Sequence, residues 1–370
     1  MSSLVSFLIS TTVHTVHRVR RAVWRNRRRV AVLAVALSVA VLGWRALWRR
    51  VDAMQRERLK SLEARSSLQS RRRAYFGDSQ ATADAYVRAS LPVLAKRVDS
   101  LLALPSPLEL RGAGGSKERK LELWSAFKVD SFARLLAAVY ALCCATVVVR
   151  VQLNLVSRYV HLRTLEPDDA AHASPVDDDR RVQREVAALL DDATQTEFFT
   201  RGKHLEQAGL DDIVDALKHA CAAAVEPRAL DEPLDASSLL RLVDDIRAAL
   251  GPRGEHRLMV RAVLSPEAVA SAADAAVGGE LDVVSLLVSE TLGVLESDAC
   301  GAALDKCVSE CVALALDGIA GEAGTPLVRL VVHIGRAADK MLLEDGALRL
   351  LSENNALRSL SFATFTEGLD

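Results

Sequence analysis

Aromatic residues are scarce in this chain: Trp, Tyr and Phe together make up 4% of 370 residues, whereas half of all residues are apolar. A core with so few rings must be built from Ala, Leu and Val, and this composition favours helices because Ala and Leu have high helix propensity. Cysteines are few and poorly spaced for chemistry. None of Cys143, Cys144, Cys221, Cys300, Cys307 and Cys311 forms a C-x-x-C pair, so neither a disulfide framework nor a zinc site is expected. Cys300, Cys307 and Cys311 could share one helix face, as small buried residues. The eight histidines never fall as H-x-x-x-H or H-E-x-x-H, which removes the helical metal seats. His333, inside an apolar helix, reads as a core or groove histidine. No N-x-[ST] sequon occurs, which fits a main domain facing the cytosol. Gly112-Ala113-Gly114-Gly115-Ser116-Lys117 lacks the spacing of a phosphate loop and follows no strand, so it reads as a flexible loop. With no catalytic constellation, the expectation is a protein that is not an enzyme and needs no cofactor, metal or small-molecule substrate.

The net charge of −1 gives no global pull toward nucleic acid. The charges are nevertheless segregated. Arginine dominates from Arg18 to Arg73, and acids gather later, at Asp168, Asp169, Asp177, Asp178, Asp179, Asp191 and Asp192. The basic stretch containing Arg25, Arg27, Arg28 and Arg29 leads directly into Val30 to Trp48 (VAVLAVALSVAVLGWRALW). Its uncharged part is short, but with Arg45 snorkelling outward it approaches the ~20 residues of a membrane span. Trp24, Trp44 and Trp48 flank it, as rings at headgroup level do. No small-residue cleavage site follows, which argues for an anchor over a cleaved signal. The expected organisation is a basic targeting segment (1–29), a transmembrane helix (30–48) and an all-helical domain (49–370). The slightly denser upstream charge favours a cytosolic N-terminus by the positive-inside rule.

Helical text fills the remainder, and the fold class expected is all-α: one large helical bundle on an N-terminal anchor. Arg49 to Leu104 is charged and helical, without sustained heptads. Pro105 to Arg119 reads as a surface loop, and so does Glu166 to Asp179. The uncharged run Leu135 to Val149 raises the alternative of a second span, as in a multispanning transporter or channel component. At fifteen residues ending in Arg150 it better suits a buried central helix. Further helices are expected at Val182–Leu190, Leu210–Val225, Leu239–Leu250, Leu281–Leu295, Cys300–Ile319 and Leu327–Leu343. In Leu210–Val225 the residues Leu210, Ile213, Val214, Leu217 and Cys221 recur at helical spacing.

The helix opening near Lys117 (KERKLELWSAFK) carries the most distinctive surface pattern. Lys120 and Lys128 fall about 40° on either side of Trp124. If it faces solvent, Trp124 is an apolar anchor within a basic rim, suited to an amphipathic helix carrying acids; otherwise it is a core residue.

The block KLELWSAFKVDSFARLLAAVYALCCATVVVRVQLNLVSRYVHL (Lys120 to Leu162) resembles the most distinctive segment of the peroxin-3 family, above all in K-L-E-L-W, A-V-Y and R-V-Q-L-N. RRRAYFGDSQAT, SLPVL, GLDDIVDALKHA and SETLGVLESDACGAALDKCVSE are similar to further family segments in the same order. The resemblance implies a peroxisomal membrane protein whose helical cytosolic domain receives the peroxin-19 carrier, with membrane lipid and that carrier as partners. By position it implies groove roles for Lys120 and Trp124, for Arg329 where relatives can carry Lys, and for a leucine at Leu108 or Leu110. It also implies a short N-terminus inside the organelle, which opposes the charge rule. The family expectation takes precedence, because the flanking charges are nearly balanced.

Overall fold

The computed structural model describes residues 70–106, 110, 116–164, 178–278, 282–319 and 324–367. The expected targeting segment with Arg25, Arg27, Arg28 and Arg29, the anchor with Trp44, and Leu108 all lie outside the described residues. From Arg72 onward the chain forms one compact unit. Helix α1 covers 70–101. It is followed by α2 (Lys117–Thr164), α3 (Asp178–Leu189), α4 (Asp192–Arg201), a π-helical turn (Leu205–Gly209) and α5 (Leu210–Val225). Then come α6 (Ala236–Ala249), α7 (Gly254–Val263), α8 (Pro266–Gly278), α9 (Val283–Glu296), α10 (Asp298–Leu316), α11 (Leu327–Leu343), α12 (Asp345–Glu353) and α13 (Asn355–Thr366). The expected all-α class holds. The expected bounds of α5 and α11 agree with the structure, whereas α4, α7, α8, α12 and α13 carried too short a periodic pattern to be picked out.

Helix α2 organises the bundle. Its 48 residues extend ~72 Å at 1.5 Å per residue, and α3, α5, α7, α9, α10, α11 and α13 all pack on it. The run Leu135 to Val149 is enclosed all round, with no member more than 8% exposed. Its apolar content is therefore core rather than lipid contact, and the second-span alternative finds no support. The polar residues that end the run are buried too, and each finds a partner. Arg150 Nη2 donates to Asp84 Oδ1 at 2.8 Å, Gln152 Nε2 donates to Phe198 O at 3.2 Å, and Asn154 Oδ1 accepts from Ser79 and Gln80. Further along, Arg158 pairs with Glu290, which also accepts from Tyr159.

Local chemistry fixes the helix ends. Asp191, Asp235, Asp282, Ser297 and Asn354 cap α4, α6, α9, α10 and α13 by accepting backbone N–H groups, which satisfies donors that have no partner inside a helix. Part of the acidic clustering seen in the sequence is thus capping. Two-residue strands that the helical reading missed, β1 (Pro233–Leu234) and β2 (Thr325–Pro326), pair antiparallel with Pro233 opposite Pro326. Beside them, Leu327 N donates to Glu232 O and Val328 N to Leu230 O. These bonds dock the first turn of α11 onto the segment that follows α5.

Lys128 belongs to this same end of the bundle, and here the sequence expectation is corrected. Instead of rimming a groove, Lys128 is 2% exposed, and its Nζ donates to Glu226 O at 3.1 Å and Arg228 O at 2.6 Å, just beyond α5. Carbonyls past a helix C-terminus are short of donors and sit at its negative dipole end, so a buried ammonium there is well placed. Burial lowers its pKa, opposed by Glu226 and Glu232. All six cysteines are also buried, with Cys143 Sγ lying 3.9 Å from Cys311 Sγ. Burial pushes the thiols of Cys221, Cys300 and Cys307 up to about 12.

Three outcomes follow for the native chain. Lys128→Met strips both carbonyls of their donor and should destabilise by about 1–3 kcal/mol, read as a lower thermal midpoint. At Gly209 an added Cβ would lie 1.9 Å from the carbonyl oxygen of Ala262, so Gly209→Ala should lower stability by about 1–3 kcal/mol, read by denaturant titration. Because thiolates are the reactive form, the cysteines should resist a thiol reagent at neutral pH until the protein is unfolded.

Candidate functional site

The first turns of α2 project beyond the core: residues 116 to 122 are exposed, and burial begins only at Phe127. Trp124 sits at this transition. It is half-buried, packed on the core, with its ring edge-on to Phe127 at a centroid distance of 5.6 Å. The two sequence alternatives, core residue and surface anchor, are therefore both partly realised in one side chain. Its inner edge is fixed by Phe127, and the rest stays available.

The face on which Trp124 lies follows from helix geometry. Residues 120, 124, 127 and 131 form one row at steps of four, three and four. At the Ser131 level this row meets α11, since a Cβ on Gly335 would lie 3.6 Å from Ser131 Oγ. One turn further, Arg134 Nη2 binds Asp339 Oδ1 at 2.8 Å. Helices α2 and α11 thus run side by side in the same direction, and the same offset carried back brings Arg329 level with Ser125. Lys120 and Arg329 are both exposed, and neither forms an ion pair among the described residues. Lys120 precedes Trp124 by one helical turn on α2, and Arg329 lies in the first turn of α11.

Leu110 is only 3% exposed and belongs to the core. Between Leu108 and Leu110 the structure offers a position for the second alone, and that position is an interior one. Leu104 was missed by the sequence reading. It is half-buried against the core, and its Cδ1 occupies the space, 2.7 Å away, that a side chain on Gly335 would need. The available signal was a glycine interrupting the otherwise apolar face of α11, which marks close approach by another chain segment.

The opposite side of the same helix has the opposite charge. A cavity of about 800 Å³ between α2 and α5 is lined by Glu118, Glu122, Asp130 and Glu226 against Lys218 and His219. Burial raises the Asp130 pKa, and Lys218 works against that rise. Leu121, 62% exposed, stands between the two faces. The α5 side of α2 therefore carries more acids than bases, whereas Lys120 and Arg329 are cations. Among the described residues no cluster of His, Cys, Asp or Glu could hold a metal ion.

Comparison with known proteins places this arrangement. The family model described as Peroxin-3 matches residues 103–328, a span that includes all of α2 and ends two residues into α11. Peroxisomal biogenesis factor 3 of Bos taurus is 25% identical over 310 residues, covering 81% of this chain and 79% of its own length. The Homo sapiens protein of the same name is 24% identical over the same shares. Peroxisome biogenesis protein 3-1 of Arabidopsis thaliana is 23% identical over 292 residues, covering 75% of this chain and 77% of its own. With more than half of its length matched by the family model, the chain belongs to the peroxin-3 family.

Proposed function

We propose that this chain is an anchored docking receptor of the peroxisomal membrane, whose Trp124 face receives an amphipathic helix of the peroxin-19 carrier so that newly made membrane proteins are delivered there. Family membership supports the role in peroxisome biogenesis itself. The observation that carries the docking step is the state of Trp124: a ring set edge-on to Phe127, packed on the core yet partly exposed, one turn after Lys120, which is exposed and forms no ion pair among the described residues. A large, pre-oriented aromatic with a cationic border is the kind of anchor that dominates helix-in-groove binding.

The reading assigns 1–29 to targeting, 30–48 to a single membrane span and 49–370 to the cytosolic domain. No catalysis is part of it. The relatives carry names of biogenesis factors, and binding needs only a surface. Burying an indole and the leucines of an incoming helix yields roughly 1.5–3 kcal/mol for each large apolar side chain. Arg329 retains the charge that relatives can supply with Lys, with a planar fork that favours carboxylates.

The test uses a fragment spanning 49–370, in which Trp124 is the only tryptophan. Titrating it with the N-terminal peptide of the carrier should give a saturable blue shift of its fluorescence. Trp124→Ala should weaken binding at least tenfold by calorimetry while the helical circular dichroism stays unchanged. Loss of helicity in that variant would make Trp124 a structural residue, and undiminished binding would move the docking site elsewhere.

A further inference from the structure

Several arginines around the bundle are paired: Arg88 with Asp345, Arg97 with Asp211, Arg201 with Glu197, Arg253 with Asp298 and Arg261 with Asp212. Helix α11 departs from this habit. Arg329, His333, Arg336 and Lys340 are all exposed and recur at steps of four, three and four, which sets them within about 60° on one face over ~16 Å. None of them forms an ion pair among the described residues. Of the two positions expected for His333, core or groove, the structure gives the second: it is exposed and lines a cavity. Beside the last three opens a cavity of about 550 Å³ between the end of α10, α11 and the start of α12, with Leu314, Ile319, Ala337 and Met341 among its lining residues. Leu314 is 43% exposed at this cavity. Two acids, Asp317 and Glu344, also border it, yet neither pairs with the cationic row.

We infer that the α10–α11–α12 cavity is a second protein-docking surface, which takes an amphipathic helix that inserts one large apolar side chain and lays acidic residues along His333, Arg336 and Lys340. Charge complementarity identifies the occupant. Arg329, Arg336 and Lys340, cations without an ion pair among the described residues, recur at helical repeat beside a pocket with apolar lining and match acids and a hydrophobe on one partner helix. The pocket is concave and large enough for a leucine or phenylalanine, whereas a lipid surface needs a broad convex or flat basic face. The surface lies further along α11 than Trp124 and does not depend on the carrier reading.

The experiment uses the full chain in detergent micelles and two fluorescent amphipathic peptides of about five helical turns. They share one leucine–phenylalanine row, and glutamates in one are replaced by lysines in the other. The glutamate peptide should bind at least tenfold tighter, weaken as salt rises from about 0.05 to 0.3 M, and protect residues 314–347 from hydrogen exchange. R336E/K340E should reverse the preference toward the lysine peptide, a gain that a misfolded variant could not show. Measured in a Trp124→Ala background, so that the Trp124 face does not compete for the peptides, binding should persist and Leu314→Asp should abolish it for both. Equal binding of the two peptides, no binding, no reversal, or stronger capture by phosphatidylserine vesicles that R336E/K340E abolishes would overturn the proposal.

Discussion

Enclosure of α2 is the constraint on which the rest of the structure depends. A helix of this length with an apolar middle is stable in water only if other elements cover it on every side, because its stretch of Ala, Leu, Val and Cys offers no polar stripe for solvent. Coverage has a cost at the polar residues that follow. Arg150, Gln152, Asn154 and Arg158 are carried into the interior with the helix, where an unpaired polar group costs far more than in water. The partners come from distant parts of the chain: Asp84 on α1, Phe198 on α4 and Glu290 on α9. The same residues that make the segment unsuitable as a bilayer span thus specify which helices must pack where.

At the opposite end of α2 the enclosure is deliberately incomplete. Full burial begins at Phe127, Leu123 and Trp124 pack on the core while partly exposed, and residues 116–122 overhang. What stops this overhang from being a loose helix end is Lys128, whose ammonium ties α2 to the carbonyls after α5, while the short β1–β2 ribbon ties that same segment to the start of α11. Trp124 is held one turn from this junction. Rigidity of the junction and exposure of the indole are therefore linked: the cation that helical spacing suggested as part of the binding rim instead supports the platform beneath it.

Electrostatics then give the platform a direction. Acids line the α5 side of α2, and Lys120 and Arg329 stand on the α11 side. Charge of either sign at a rim contributes little affinity by itself, but it governs approach and register. The exposed Arg336 and Lys340, which form no ion pair among the described residues, continue along α11 to a neighbouring concavity, so under the two proposals one helix would serve two surfaces.

Sequence by itself determined the helical class, the core role of Leu135 to Val149 and the bounds of α5 and α11, because each depends on composition or on a period within one segment. The short helices α7, α8, α12 and α13 escaped it, since their packing neighbours, rather than a long local pattern, stabilise them. Tertiary structure alone decided that Lys128 is buried, that Leu110 faces inward, that His333 is exposed and that α11 runs beside α2. Helical periodicity fixes the angle of a side chain about its own axis, but whether that angle meets solvent, a carbonyl or another helix depends on residues a hundred or more positions away.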